Sequence, residues 1–558
     1  MTYKALMTGL ICAANLFAFA ATINVPGDYA TIQAAIDASS AGDTIVVADG
    51  FVADDSSQDS TLLDNGSKAR LVITKGITLR SVSGTLDNPV YICGRKHSTA
   101  EDTVVTNHGA NSVRALYLKT PAGEKALFKG IAFINGCTGS GSSTGDTKGA
   151  GVWCDGCEES PVFEDCVVSN NVAYNGGGIW ADIVGGGVAY LTNCLITANA
   201  VTYRAGGTYK CSCYRTTISH NKVTGNATGS SPAAARYGDF IECQIIGNAR
   251  TSTGAEQAFN QIIMDGGVFK RCLFKDNGGG GSRCHGLLQV TEIRDCDFVN
   301  NKNSGSGMIK DGTKVLYNCR FYGKNSNPCI LGVGLTLYNC IITNNINIAP
   351  GCPFFNNSTL YNCIISDNRQ IKSSNWSQAD NYPHLTNCKL YNCTFRVTEF
   401  SRLNTTKPAV GNEIKDCVLV NTVFEAIDKY GTSTSSWFFG PCGNLYATNS
   451  CLPEVFVLSN ALKGASNNIY YGPERECKRT GLITEGDKKY QLDKGSVCID
   501  SGWDGKSENN PAGFAYLKSS DANEFYGIDY FGSKRISGKA VDIGASERAI
   551  PGFTIRVR

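Results

Sequence analysis

Trp153 and Asp155, then Trp180 and Asp182, recur at one spacing in two short segments, Gly151-Val-Trp-Cys-Asp155 and Gly178-Ile-Trp-Ala-Asp182. Gly207-Thr-Tyr-Lys-Cys211 repeats the pattern with Tyr209 where the tryptophan stood. If each segment is a strand with Val152, Ile179 and Thr208 inward, alternation turns Trp153, Trp180 and Tyr209 outward in a row. Asp155 and Asp182 then share that outer side. Aromatic rings stack on pyranose faces and carboxylates accept hydroxyl protons, so such a row suits a sugar chain. Rings packed under the long 130–166 loop fit the same residues, because buried Trp and Tyr are ordinary core residues. Two carboxylates about 5 Å apart also serve retaining glycoside hydrolysis. Adjacent strands place outward pairs at about 5 Å by default, so that separation does not by itself identify catalysis. Gly286-Leu-Leu-Gln-Val290 and Gly307-Met-Ile-Lys-Asp311 continue the column.

Other candidates are more scattered. The loop from Gln370 to His384 carries Trp376 and Tyr382, which serve either sugar contact or loop anchoring. Asp500, Asp529 and Asp542, with Arg535 and Glu547, read as a polar network closing the chain. The same three carboxylates are the candidates for a calcium site, and no other cofactor is called for. The five histidines, His97, His108, His220, His285 and His384, show no metal spacing. Cys154-Asp-Gly-Cys157 is a single CxxC, and structural zinc needs a second pair, which leaves a local disulfide or free thiols.

These residues need an element to hold them in line, and the chain supplies a repeat. Leu337-Tyr-Asn-Cys-Ile-Ile-Thr-Asn-Asn345 returns as Leu360-Tyr-Asn-Cys-Ile-Ile-Ser-Asp-Asn368. Twelve copies can be placed by their central residue: Gly130, Cys166, Cys194, Thr216, Cys243, Cys272, Cys296, Cys319, Cys340, Cys363, Cys393 and Cys417. They lie 21 to 36 residues apart, the period of a solenoid. The positions three before and two after the centre are apolar throughout. Straight-strand alternation would send the first of these to the wrong face, so the chain must bend just before the centre. Eight of the twelve residues there are Asn or Asp, which best tolerate a left-handed backbone. Nine of the twelve residues five after the centre are Asn, suited to hydrogen bonding from rung to rung. The expected fold is all-β, a coil of parallel strands stacked about 4.8 Å apart.

On these residues the chain resembles the right-handed parallel β-helices of the pectin-lyase-like superfamily. Phe274-Lys-Asp-Asn277, Phe298-Val-Asn-Asn301 and Gly176-Gly-Gly-Ile179 are similar to the FxxN and GGAI repeats of polymorphic outer-membrane proteins. The segment Val541-Asp-Ile-Gly-Ala-Ser-Glu547 resembles the closing motif of choice-of-anchor surface proteins, with Ser546 where that motif has Tyr. In the superfamily, glycan chemistry usually lies on the outer face of one sheet. The paired-Asp, Gly-His-Gly and Arg-Ile-Lys set of polygalacturonases is missing, and so are the pectinesterase and pectate-lyase sets.

Lys4, the apolar run Ala5 to Phe19 and Ala18-Phe-Ala20 read as a secretory signal spanning 1–20. Ile32, Ala35 and Ile36, within Asp28 to Ser39, have helical spacing and suit an N-terminal capping helix over the open end of the coil. The β-helix with its cap is then expected over 21–425, and further rungs with a closing cap over 426–558. A formal net charge of +2, with 18% charged residues, offers no field for nucleic acid. No segment after the signal is long and apolar enough to span a bilayer. Of the 25 cysteines, 24 follow the signal. Stacked central cysteines would hold their Cβ atoms about 4.8 Å apart, wider than a disulfide accepts, so they read as buried thiols. The expectation is an exported bacterial protein, secreted or on the cell surface. It is an adhesin or glycan-binding scaffold whose partner is an extracellular polysaccharide or a host or cell-surface glycan. The alternative is a polysaccharide lyase or glycoside hydrolase.

Overall fold

The computed structural model describes residues 20–94, 112–138, 147–224, 232–250, 261–279, 284–288, 290–302, 308–310, 315–323, 325–327, 332–347, 355–370, 385–397, 412–426, 440–453, 462–466, 468–471, 492, 496 and 498. Residues 1–19 of the expected secretory signal, the loop carrying Trp376, Tyr382 and His384, and Asp500, Asp529, Arg535, Asp542 and Glu547 lie outside them.

The fold is the expected right-handed parallel β-helix. Among the described residues the turns build a 20-stranded, a 16-stranded and a 10-stranded sheet, called here the first, second and third sheets, the third ending at Ile309–Lys310. Among the described residues every strand pairing is parallel except Thr61–Leu62 with Lys68–Ile73. The first sheet begins at Thr22–Val25, the second receives the residues just after each repeat centre, and the third carries the tryptophan segments. A helix covers the open bottom, as expected, but spans only Ile32–Ala38. Thr31 caps it by accepting from the Ala34 N–H, and Ile32, Ala35 and Ile36 are its buried face. No helix among the described residues is long and apolar enough to cross a membrane.

The core is built of columns. Phe163, Leu191, Cys213, Phe240, Phe269 and Ile293 stack in one, and Val168, Ile196, Ile218, Ile245, Phe274 and Phe298 in another. All are buried, each worth about 1.5–3 kcal/mol when large and fully enclosed. Phe274, Phe298 and Phe321 stack face to face at 4.7 and 4.4 Å. The central cysteines stand between these columns as free, buried thiols. Their Sγ–H groups donate to the carbonyl two residues back, as Cys340 does to Tyr338 at 3.3 Å. Thr216 does the same to Tyr214, so it fits the column without distorting it.

Two turns shape each rung. All eight Asn or Asp residues placed before the centre have φ between 49° and 55°. Arg215, Glu242 and Arg271 adopt the same conformation at that corner, with φ of 49°, 56° and 53°, so the corner overrides residue preference. An ion-pair chain, Arg215 to Glu242 to Arg271, stands there in place of the amides. After the second sheet comes a buried ladder of Asn171, Asn199, Asn221, Asn248, Asn277, Asn301, Asn325, Asn345 and Asn368. Through most of it, Oδ1 accepts from both the backbone N–H and the amide of the Asn one rung earlier. Asn325 sits one residue later than the repeat predicts and still joins. Glycines 176–178 lead into the third sheet because backbones touch there. A Cβ on Gly178 would lie 2.4 Å from the Gly207 carbonyl oxygen.

Two placements of the repeat need correction. In the first copy Phe128, not Leu127, pairs with Phe163, and Ala132 pairs with Val167, which makes Ile131 the centre instead of Gly130. Both 127–128 and 131–134 are continuously apolar, so alternation cannot choose the register there. At the other end Cys417 stands above Cys388, while the central column runs from Cys393 to Thr422 and Ser450. From Gly332 to Tyr391 each rung gives the first sheet two short strands, which merge into one at Asn412–Val420, so a second column runs beside the first. Among the described residues, rungs continue past 425 to Ile469–Tyr471.

Candidate functional site

The third sheet brings the tryptophan segments together in the expected register. Trp153 pairs with Tyr117 on one side and Trp180 on the other, followed by Tyr209, Arg236 and Asp265. Leu288 and Lys310 continue the register. Val152, Ile179 and Thr208 are fully buried inside the coil, so the aromatic column stands on the outer face.

That outer face is closed over the two indoles, which are 4% and 6% exposed. The Trp180 ring lies flat on Tyr209, with centroids 3.8 Å apart and planes at 5°. Tyr117 meets Trp153 edge-on at 5.3 Å. The Arg114 guanidinium covers Trp153 at 4.7 Å, and the Lys148 ammonium stands 6.0 Å from Trp153 and 5.6 Å from Trp180. The backbone itself lies against the Trp180 ring: at Gly176, which is left-handed, a Cβ would lie 2.8 Å from Trp180 Cε3. No indole face remains on which a pyranose could stack. Tyr117 and Tyr209 are partly exposed, and burial raises the Tyr209 phenol above its ordinary value.

Asp155 and Asp182 are register partners, as expected. Each is held by its own column. Tyr117 Oη donates to Asp155 Oδ2 at 2.9 Å. Burial first, and this hydrogen bond second, keep the Tyr117 phenol well above its usual value, so it remains a donor. Asp182 Oδ2 accepts from Trp180 Nε1 and from Lys148 Nζ, both at 2.8 Å. Retaining hydrolysis asks one carboxyl to carry a proton and the other to attack. Here both are engaged as acceptors by neighbours that also pack the rings.

Cys154 and Cys157 both face the interior because a bulge at Asp155–Cys157, with Gly156 at φ 67°, breaks the alternation. The hydrogen bond from Cys154 draws Cys157 down to about 7 and sends Cys154 well above its ordinary value. Among the described residues no group of three or more His, Cys, Asp or Glu could hold a metal ion.

A second aromatic column lies on the outer face of the first sheet, and the reading of the sequence passed over it. Tyr317, Tyr338, Tyr361 and Tyr391 stand in register, one per rung. Their rings stack at 5.1, 4.9 and 5.0 Å with planes within 12°. The first three are partly exposed, while Tyr391 is buried against Val420. Arg294 caps the stack, 4.3 Å from the Tyr317 ring. Beside it runs an amide ladder in which Asn318 donates to Asp295, Asn339 to Asn318 and Asn362 to Asn339 at 2.8–3.2 Å. The signal was the Tyr of Leu-Tyr-Asn-Cys itself. It always falls two residues before the centre, where a strand points outward.

The family model described as right handed beta helix region matches residues 150–321. Two solved structures align along most of the chain. One is the crystal structure of pectate lyase Pel9A, 10% identical with a TM-score of 0.24, covering 93% of this chain and 91% of that one. The other is the complex of XylC with xylose, 12% identical with a TM-score of 0.27, covering 93% and 95%. At these identities and scores neither bears on what this chain binds or does. No curated protein matches the chain.

Proposed function

We propose that this chain is an exported glycan-binding scaffold or adhesin that acts outside the cell or on its surface and performs no catalysis. Its partner is an extracellular polysaccharide or a cell-surface glycan. The observation that carries the reading is the partly exposed tyrosine ladder Tyr317–Tyr338–Tyr361, an aromatic and hydroxyl-bearing strip on a rigid sheet face. Tyr209, the partly exposed end of the other column, is the second contact to test. Lyase or hydrolase chemistry is disfavoured at Asp155 and Asp182, whose oxygens already serve Tyr117, Trp180 and Lys148.

The test is a panel of acidic and neutral glycans, assayed in parallel for binding and for cleavage by reducing ends and by ultraviolet absorbance of unsaturated products. Binding without cleavage, lost in a Tyr338→Ala/Tyr361→Ala variant that still folds, is the expected result. Cleavage products that vanish in Asp155→Asn or Asp182→Asn would establish the enzyme reading instead.

A further inference from the structure

Resting on that reading, we infer that a separate glycan contact lies nearer the N-terminal end of the first sheet, around Ser212, and that it takes one uncharged pyranose. Stacking on a sugar needs a ring face that no neighbour covers. Among the described residues four tyrosines are exposed, Tyr29, Tyr190, Tyr214 and Tyr446, and only Tyr190 and Tyr214 stand on paired strands. Tyr190, 48% exposed, is in register with Ser212. Tyr214, 36% exposed, follows Ser212 by two residues and so stands on the same outward side. Among the described residues the Tyr190 side chain has no ring, cation or hydrogen-bond partner. Val162 and Ser212, which flank it in its column, are too short to cover its faces.

Ser212 is the floor of this contact. Tyr190 stands one rung before it, Tyr214 beside it, and Asp239 one rung after it, where the Asp239 N–H donates to Ser212 Oγ at 3.2 Å. Two rungs separate Tyr190 from Asp239, about 9.6 Å, which admits one sugar ring and not two. Asp239 is exposed, and its Oδ1 accepts from the Val268 N–H at 3.1 Å, which fixes the carboxylate at the far rim. Its Oδ2 is left to accept a sugar hydroxyl, and the Ser212 hydroxyl, already an acceptor, is left to donate. Arg215 lies over the Tyr214 ring at 4.7 Å and holds it as a side wall. The surrounding cations are engaged: Lys129 with Glu164 at 3.3 Å, Arg215 with Glu242 at 2.8 Å, Lys270 with Glu292 at 3.4 Å, and Lys210 over the Tyr209 ring at 5.8 Å. A uronate seated on Ser212 would face the Asp239 carboxylate with each of these cations already paired, and like charges in contact repel.

The experiment titrates the protein with the methyl glycosides of glucose, galactose and N-acetylglucosamine, and with methyl galacturonoside as the charged counterpart of the galactoside. Binding is read by NMR, which detects the affinity of about 1 mM that a single sugar can reach. At least one uncharged glycoside should bind, and more tightly than the uronate. Tyr190→Ala should weaken that binding about tenfold with the urea midpoint unchanged. Asp239→Asn keeps Oδ1 for Val268 and removes the charge, and should bring the uronate level with its uncharged counterpart. Tyr338→Ala/Tyr361→Ala should bind the monosaccharide as the parent does. Unchanged affinity in Tyr190→Ala, or a parent that prefers the uronate, would overturn the inference. Failure of every monosaccharide while longer glycans still bind would overturn the inference and leave glycan binding standing. Binding of neither would overturn both.

Discussion

Burial pushes the thiols of Cys93, Cys211 and Cys213 above their ordinary values, Cys93 to about 12. All three are buried. In the unfolded chain the same thiols titrate near 8.5. The folded value is the raised one, so the stability these groups contribute is fully present below about pH 8.5 and is lost as pH rises toward the folded value. Each thiol that stays protonated only in the folded state subtracts up to about 1.4 kcal/mol per pH unit in that window. Urea midpoints should therefore fall steeply between about pH 8.5 and pH 10. Alkylation of the native protein should follow unfolding in place of thiol chemistry. A midpoint independent of pH, or rapid labelling of the whole set, would mean the thiols reach water. Residue identity also settles the left-handed corner for Asp165 and Asn193, and fails to for Arg215 and Glu242, whose corner is imposed by the rungs on either side.

At the scale of the element, the asparagine ladder joins the second sheet to the next strand. Asn248 Oδ1 accepts from both Asn221 N and Asn221 Nδ2 at 3.0 Å, and its amide donates to Ile218 O at 2.8 Å. Alanine there leaves buried groups on two rungs unpaired. At about 1–3 kcal/mol for such a group, Asn248→Ala should cost about 2–4 kcal/mol. Because each rung contacts only its neighbours, hydrogen exchange should quicken between 221 and 277 and stay unchanged in the first rungs. An equal loss of protection along the whole coil would contradict nearest-neighbour stacking. The ladder was legible in advance because Asn recurs at one offset. The slip at Gly130 and the double column at Cys417 were not, since several registers bury apolar residues equally well at both places.

For the whole molecule, the register Leu337 to Leu360 defines one complete turn. Deleting residues 337–359 joins Thr336 to Leu360, sets Cys363 over Cys319 and sets Asn368 beside Asn325. That variant should fold with an unchanged circular dichroism shape and a slightly smaller urea m-value, as a shorter coil exposes less surface on unfolding. Deleting 337–347 ends within a turn, shifts every later side chain to the wrong column, and should not fold. Should both variants collapse alike, the turn is not the unit of stability.

Sequence alone determined the coil, its inward columns, its left-handed corners and the register of Trp153 with Trp180. Each of these is periodic, and a residue buried in every rung must be compatible with burial wherever the rung sits. Tertiary structure decided the rest. Arg114 and the close approach at Gly176 covered the indoles, Lys148 and Tyr117 reached Asp182 and Asp155, and the tyrosines of Leu-Tyr-Asn-Cys became a continuous strip. Outward side chains obey no common constraint of burial; what they touch depends on loops and neighbours that the repeat does not encode.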